Sequence, residues 1–291
     1  MAVCKKEGQY GFIDKSGKEV ISCKYNFARS FSNGLAAIEM NDANGLPSGG
    51  YIDTKGNIVI PCSYNTADGM NPFSNEIAVV MDENGLLGCI NTEGKVIINF
   101  DYDHLEIFDD VVIARETGGQ LYGLFDNKGK AITPFIYDAI YPSKNNLIIV
   151  VKDRKSGFIN KDGKEAIPCM FDAYFNEDSG EGWIAGCTHF NEGISIVKSY
   201  GKYGAIDEKG NELVPQIYDS LEEYSEGLFV ADISGKYGYV DSNGNSTFSQ
   251  EEMEAANIAK AKIIEEERIK EEKRQRSDLN LFHSLKIVSK C

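Results

Sequence analysis

Seven side chains able to accept a hydrogen bond stand three residues before a glycine along this chain: Asp14, Asp53, Asn91, Asp126, Asn160, Asp207 and Asp241. Paired carboxylates at a suitable separation are what glycoside cleavage uses, one as general acid and one as base or nucleophile. Cys187-Thr188-His189 puts a thiol and an imidazole on one face of an extended segment, the start of a nucleophile and base pair, but no third group orients the base. His104, His189 and His283 are isolated, with no H-x-H or H-E-x-x-H spacing for a metal. The glycines lack both the G-x-x-x-x-G-K-[ST] pattern and the strand-loop-helix setting that cradles phosphate. No cofactor, metal or catalytic site is expected.

The elements that carry the acids account for them. Tyr10-Gly11-Phe12-Ile13-Asp14-Lys15-Ser16-Gly17-Lys18 is the first of seven versions of one stretch, anchored at Gly17, Gly56, Gly94, Gly129, Gly163, Gly210 and Gly244. Asp or Asn at the first position and Gly at the fourth specify a type I turn ending in a residue of positive φ, which closes a hairpin with a glycine bulge. An Asp or Asn repeated in one turn seven times is explained by the turn.

Apolar pairs such as Phe12-Ile13 and Val20-Ile21 flank the turn and read as strands. Six residues after the glycine come Cys23, Cys62, Phe100, Phe135, Cys169 and Gln216; eight after come Tyr25, Tyr64, Tyr102, Tyr137, Phe171 and Tyr218. This spacing puts both sets on one strand face. Pro61, Pro134, Pro168 and Pro215 lack a ladder donor and indicate a strand end or edge. A third short strand follows, as in Leu35-Ala36-Ala37-Ile38. No such unit can bury its own apolar face, so the copies must stack. The expected fold is an all-β repeat protein over residues 1–248, an array of antiparallel hairpin units that is open and solenoid-like, with a closed β-propeller as the alternative.

The run Gly201-Lys202-Tyr203-Gly204-Ala205-Ile206-Asp207-Glu208-Lys209-Gly210, continuing through Pro215 and Tyr218 to Tyr224-Ser225-Glu226-Gly227-Leu228, resembles the bacterial WG repeat, also called the KWG repeat. The resemblance covers residues 1 to about 248 and departs from the family where Trp usually precedes the glycine, since this chain has Tyr10, Gly49, Leu87, Tyr122, Ser156, Tyr203 and Tyr237 there. It implies an all-β repeat scaffold and carries no common catalytic motif.

A formal net charge of −15 argues against direct nucleic-acid binding, which draws on clustered Lys and Arg, and suits basic partners. The repeated tyrosines suggest a ladder of aromatic faces for sugar or choline, yet Phe171 takes the same position, as in a core stripe. Seven cysteines include no C-x-x-C pair, and three stand where Phe100 and Phe135 stand in other copies, which reads as apolar packing. Ala2-Val3-Cys4 fits the third strand of a preceding repeat, with no apolar leader or membrane span, and a cytoplasmic location is expected.

The 47-residue step between Gly163 and Gly210 is the longest, and its surplus lies within 173–189, with loops also expected at 39–49 and 81–86. The partner-binding residues expected there are Tyr174, Phe175, Glu177, Asp178, Glu181, Trp183 and His189; alternatively Trp183 starts an extra strand and packs inside. Ser249-Gln250-Glu251-Glu252 reads as a capping box that opens a helix over 249–276. Its apolar first half is expected to cover the end of the array, and its charged second half to pair Glu266 with Lys270 and Glu272 with Arg276. An amphipathic tail, 277–291, starts afresh at Asp278 and either docks on the array or engages a partner. The function expected is a non-enzymatic protein-binding scaffold using interrepeat loops, its partner another protein, basic or nucleic-acid-handling. The alternatives are an acidic inhibitor that mimics nucleic acid, and a carbohydrate-binding or glycan-acting protein.

Overall fold

The computed structural model describes residues 1–67, 69–143, 146–176, 182–222 and 228–288, with side chains for all of these except 176, 182–184 and 277–288. The chain forms two compact units, Met1–Asp153 with Asn160–Lys164 and Arg154–Ile159 with Glu165–Cys291.

The first unit opens with the meander β1 (Ala2–Lys6), β2 (Gln9–Ile13) and β3 (Glu19–Tyr25), followed by the four-stranded β4 (Phe27–Ala28), β5 (Leu35–Asn41), β6 (Pro47–Asp53) and β7 (Ile58–Tyr64). Six strands then run side by side: β8 (Ile77–Met81), β9 (Leu87–Asn91), β10 (Val96–Phe108), β11 (Val111–Glu116), β12 (Tyr122–Asp126) and β13 (Ala131–Tyr137). The antiparallel pair β14 (Ala139–Tyr141) and β15 (Leu147–Lys152) follows. Two repeats merge in the six-stranded sheet because β10 continues past a register shift between Tyr102 and His104 and pairs first with β9, then with β11.

The repeated turn forms as its residues dictate. Asp14 Oδ1 accepts the backbone N–H groups of Ser16 and Lys18 at 2.8 and 3.1 Å, and the Gly17 N–H donates to the Asp14 carbonyl at 3.1 Å with Gly17 at φ 85°. Asp53, Asn91, Asp126 and Asn160 repeat both side-chain bonds. So do Asp42 and Asp82. The stretches expected as loops at 39–49 and 81–86 are therefore hairpin turns, with β5 and β6 in register from Leu35↔Asp53 to Asn41↔Pro47.

The first glycine of each repeat is a seat for the strand after the turn. A Cβ on Gly11 would lie 2.6 Å from the Ile21 carbonyl oxygen and 2.7 Å from the Cys23 nitrogen, and the β2–β3 register shifts there, between Tyr10 and Phe12. Pro61 and Pro134 sit within the equivalent shifts, inside strands that lie at sheet edges, where a missing N–H leaves no ladder bond unmade. Middle strands are covered on both faces. In β6, Ile52 packs with Phe12, Ile21 and Tyr25 of the preceding repeat, and Tyr51 with Ala78, Val80 and Ile90 of the following one. Turn glycines complete the stack, Gly56 lying over Ile21 and Gly94 over Ile60. Each buried large side chain contributes about 1.5–3 kcal/mol, so the junctions between repeats hold the array.

The second unit contains β16 (Lys155–Asn160), β17 (Glu165–Asn176) and β18 (Gly182–Ala185), then β19 (Ile194–Ser199), β20 (Lys202–Asp207) and β21 (Glu212–Tyr218), then β22 (Ser220–Leu221), β23 (Leu228–Ile233) and β24 (Lys236–Asp241), and the helix α1 (Gln250–Val288). Asp207 and Asp241 form the same turns as in the first unit. Among the described residues no sheet closes into a barrel.

The capping box is present: the Ser249 N–H donates to Glu252 Oε2 at 2.8 Å and the Glu252 N–H to Ser249 Oγ at 3.3 Å. Met253 and Ala256 join the core around Tyr218, Phe229 and Phe248, while Ile258 stays exposed. The charged half pairs differently from expectation. Lys270 reaches Glu267 one turn back, and Arg268 bridges Glu265 and Glu272, because i,i+3 and i,i+4 neighbours are both within reach on a helix. The helix runs through Asp278 without a break, and the side chains expected to make an amphipathic tail lie outside the described ones.

Candidate functional site

The 173–189 insertion is a hairpin built as an extension of β17. After pairing with β16 through Lys155↔Asp172 and Ser156↔Phe171, β17 runs on and pairs with β18 from Ala173↔Ala185 to Asn176↔Gly182. Ala173 is buried, but Tyr174 and Phe175 are 48% and 54% exposed. Successive strand residues point to opposite faces, so both faces of the hairpin are open to solvent where it leaves the sheet. Trp183 lies in β18 with its backbone opposite Phe175; its side chain, and the residues Glu177, Asp178 and Glu181, lie outside what is described. An extra strand, β18, does form there.

The stem of the insertion belongs to the core. The Gly186 N–H donates to Ser156 Oγ at 3.1 Å, and that hydroxyl donates to the Asp172 carbonyl at 3.2 Å. A Cβ on Gly186 would meet the same carbonyl oxygen at 2.1 Å. Cys187 is buried. His189 is not part of the hairpin: it stands on the segment leading back to the sheet, next to Phe190, whose ring packs on Phe158 at 4.9 Å.

Beside the hairpin stem lies a cleft of 780 Å³, walled by Lys155, Asp172 and Tyr200 on one side and by Ile263, Ile264 and Arg268 of α1 on the other. Asp172 anchors its floor. One carboxylate oxygen takes Lys155 Nζ at 2.9 Å and the other accepts the Gly201 N–H at 2.9 Å, while Lys155 Nζ stands 5.4 Å from the centre of the Tyr200 ring. A shallower hollow of 290 Å³ next to it is lined by Tyr174, Cys187, Lys198 and Tyr203.

The Asp172 arrangement recurs. Asp103, Asp172 and Asp219 each stand nine residues beyond a turn glycine. Asp103 takes Arg115 Nε at 2.8 Å and the Gly118 N–H at 3.3 Å; Asp219 takes Lys202 and the Ser234 N–H, the latter at 2.7 Å. Against a desolvation that raises it, the bond from Lys202 holds the Asp219 carboxyl below the ordinary carboxylate value. These acids fasten the turn of a following hairpin, at Gly118 between β11 and β12, at Gly201 between β19 and β20 and at Ser234 between β23 and β24. The sequence carried the signal in the fixed offset from the turn glycine, which the stripe of cysteines and tyrosines beside it obscured.

The candidate reacting groups of the sequence are held in structural roles. Desolvation pushes the Cys187 thiol up to about 12, with a hydrogen bond to Ser156 opposing it only in part, so at neutral pH the group is protonated and no nucleophile. His189 is exposed, yet neighbouring atoms desolvate its ring enough to lower its pKa below the ordinary histidine value. The turn acids are hydrogen-bonded to their own backbones. Among the described residues, no group of three His, Cys, Asp or Glu could hold a metal ion, and no helix is long and apolar enough to cross a membrane.

The fold defines a β-repeat protein, an array of glycine-closed hairpins with a C-terminal helix. The WG containing repeat family matches residues 10–42, 50–86, 88–110, 122–155, 157–185 and 203–237, and the chain belongs to it. No curated protein sequence matches the chain. Among solved structures it is similar to the computationally designed Ika8 protein (13% identity, 84% of this chain and 81% of that one, TM-score 0.34). It is also similar to BamB from Moraxella catarrhalis (10% identity, 85% and 84%, TM-score 0.36) and to the WD40 β-propeller domain of Doa1 (11% identity, 77% and 82%, TM-score 0.28). These likenesses are distant and carry no functional weight.

Proposed function

We propose that this protein is a non-enzymatic, cytoplasmic scaffold that binds another protein through the outer end of the β17–β18 hairpin. The observation that carries the reading is the exposure of Tyr174 and Phe175 on opposite faces of one projecting hairpin. Adjacent aromatic residues with about half of their surface exposed offer a partner apolar area to bury, and rigid aromatic side chains are the usual anchors of interfaces. The net charge of −15 favours a basic partner, a nucleic-acid-handling protein among them. Glycan binding along the tyrosine stripe is disfavoured, because Tyr25, Tyr137 and Tyr218 are buried and offer no ring face to a sugar.

The test is a pull-down from lysate of the native host, quantified by mass spectrometry, with the full chain and with Tyr174→Ser/Phe175→Ser. Replacing the whole of 173–189 would remove the Ser156–Gly186 bond and buried Cys187, whereas the double substitution leaves the stem intact. Loss of two anchors should weaken capture of the partner on the order of 30-fold or more. Equal recovery by both chains would rule the hairpin out.

A further inference from the structure

The last repeat exposes a surface that every earlier repeat buries. Tyr239 follows Gly238 as Phe12 follows Gly11, Tyr51 follows Gly50, Cys89 follows Gly88, Leu124 follows Gly123, Phe158 follows Gly157 and Ala205 follows Gly204. Those six residues are all 0% exposed, while Tyr239 is 52% exposed and Tyr237, on the same strand face, 68%. Leu228 on the neighbouring strand is exposed too, whereas of its counterparts Leu35, Ile77 and Val111 are buried and Leu147 and Ile194 half-buried. Val230, directly opposite Tyr239 in register, is only half-buried. Together they form an exposed, largely apolar face on β23 and β24, with Asp241 opposite Leu228 and Asp232 opposite Tyr237 at its margins.

The earlier repeats show what such a face receives. Phe31 stacks on Phe12 at 4.7 Å, Phe73 on Tyr51 at 4.7 Å and Phe190 on Phe158 at 4.9 Å, each from the segment that leads into the next repeat. The next repeat then lays its own middle strand on the face, as Ile90 does in the cluster with Tyr51. After the last turn the chain takes another course. Phe248 packs on Tyr218 and over Gly238, and α1 follows with Met253 and Ala256 on the core around Tyr218. Thr247 bonds the Tyr239 backbone, but among the described residues no aromatic ring packs on Tyr237 or Tyr239, and both stay exposed.

We infer that the outer face of β23 and β24 is a docking surface for a second copy of this chain, entered by the opposite, leading face of that copy's first repeat. The interface would continue the repeat-to-repeat junction that the chain already forms within each unit. The complementary face is present: Ile13 is half-buried, whereas of its counterparts Ile52, Ile90, Ile159, Ile206 and Val240 are at most 2% exposed and Phe125 alone is half-buried as well, and Ala2 beside it is exposed. Because the two surfaces differ, the contact is heterologous and adds chains head to tail, into an open filament or a ring. The hairpin residues Tyr174 and Phe175 take no part in it.

Sedimentation velocity on the full chain tests this, with Tyr237→Arg/Tyr239→Arg to block the outer face and Ala2→Arg to block the leading face. All three altered residues are exposed, and circular dichroism verifies that both variants fold. The wild-type chain should grow with concentration from the 32.2 kDa monomer to twice that mass and beyond. Each variant alone should stay monomeric, and an equimolar mixture should stop at the dimer, since one good face remains on each. A wild-type chain that stays monomeric would overturn the inference. So would an oligomer that survives either variant, or a mixture that fails to dimerise.

Discussion

Tyr51 and Tyr239 hold the same repeat position in opposite surroundings, and truncating each should cost very different amounts. Tyr51 is fully buried, its ring 4.7 Å from Phe73 and its hydroxyl donating to the Asn71 carbonyl at 2.8 Å. Removing a buried aromatic side chain costs roughly 3–5 kcal/mol through lost transfer energy and the cavity left behind. Tyr51→Phe keeps the ring and drops one hydrogen bond, for about 1 kcal/mol. Tyr239→Ala empties a half-exposed surface and should cost within about 0.5 kcal/mol. Urea denaturation followed by circular dichroism in dilute solution ranks the three. Equal costs for Tyr51→Ala and Tyr239→Ala would refute the alignment of the repeats and the stacking drawn from it.

Three further outcomes follow from the same geometry. Gly129→Ala should destabilise more than Gly17→Ala: both glycines have positive φ, but a Cβ on Gly129 would lie 2.0 Å from the Ile97 carbonyl oxygen, while Gly17 has open space around it, and thermal melts separate the two. Side-chain hydrogen bonds from Ser16 to Asp14 and from Asn57, Asn211 and Asn245 to Asp53, Asp207 and Asp241, with backbone N–H bonds added, hold these carboxyls below the ordinary value of 3.8. Groups depressed in the folded state contribute stability that is full above the unfolded value and lost as pH falls through the lower folded value. The wild-type chain should therefore lose stability below about pH 4, and replacing these four residues by Asn, which Asn91 and Asn160 show the turn accepts, should flatten that loss in acid melts. Burial pushes the thiols of Cys89 and Cys187 up to about 12. Iodoacetamide on the native chain should leave both unlabelled, with labelling appearing only in denaturant, as peptide mass spectrometry would read.

The periodic part of the fold was legible because its determinants are local. Asp14 and Gly17 form a turn through bonds spanning four residues, so seven copies could be read from spacing alone. Asp42-x-x-Gly45 and Asp82-x-x-Gly85 carry the same signature but read as loops in the sequence, since no glycine stands six residues before Gly45 or Gly85 to mark a repeat. Roles set by tertiary contacts were less visible. Nothing local to Asp172 announces that it will meet Gly201, twenty-nine residues on. The cysteines at the phenylalanine position proved half-buried rather than buried, because they lie over the repeat glycine at the edge of the stack, where Cys23 touches Cys4 at 3.4 Å. Tyr174 and Phe175 were legible as an insertion with aromatic residues. That their stem belongs to the core depended on the bond from Gly186 to Ser156, which no spacing reveals.

Site-specific photocrosslinking tests the central claim most directly. A benzophenone amino acid placed at position 174 or 175 of the full chain, and at the exposed strand residue Val59 as a control, is irradiated in the native host, and adducts are read by mass spectrometry. The account predicts that 174 and 175 capture the same protein while Val59 does not. Capture of the same protein from Val59 with equal yield, or none from 174 and 175, would contradict it.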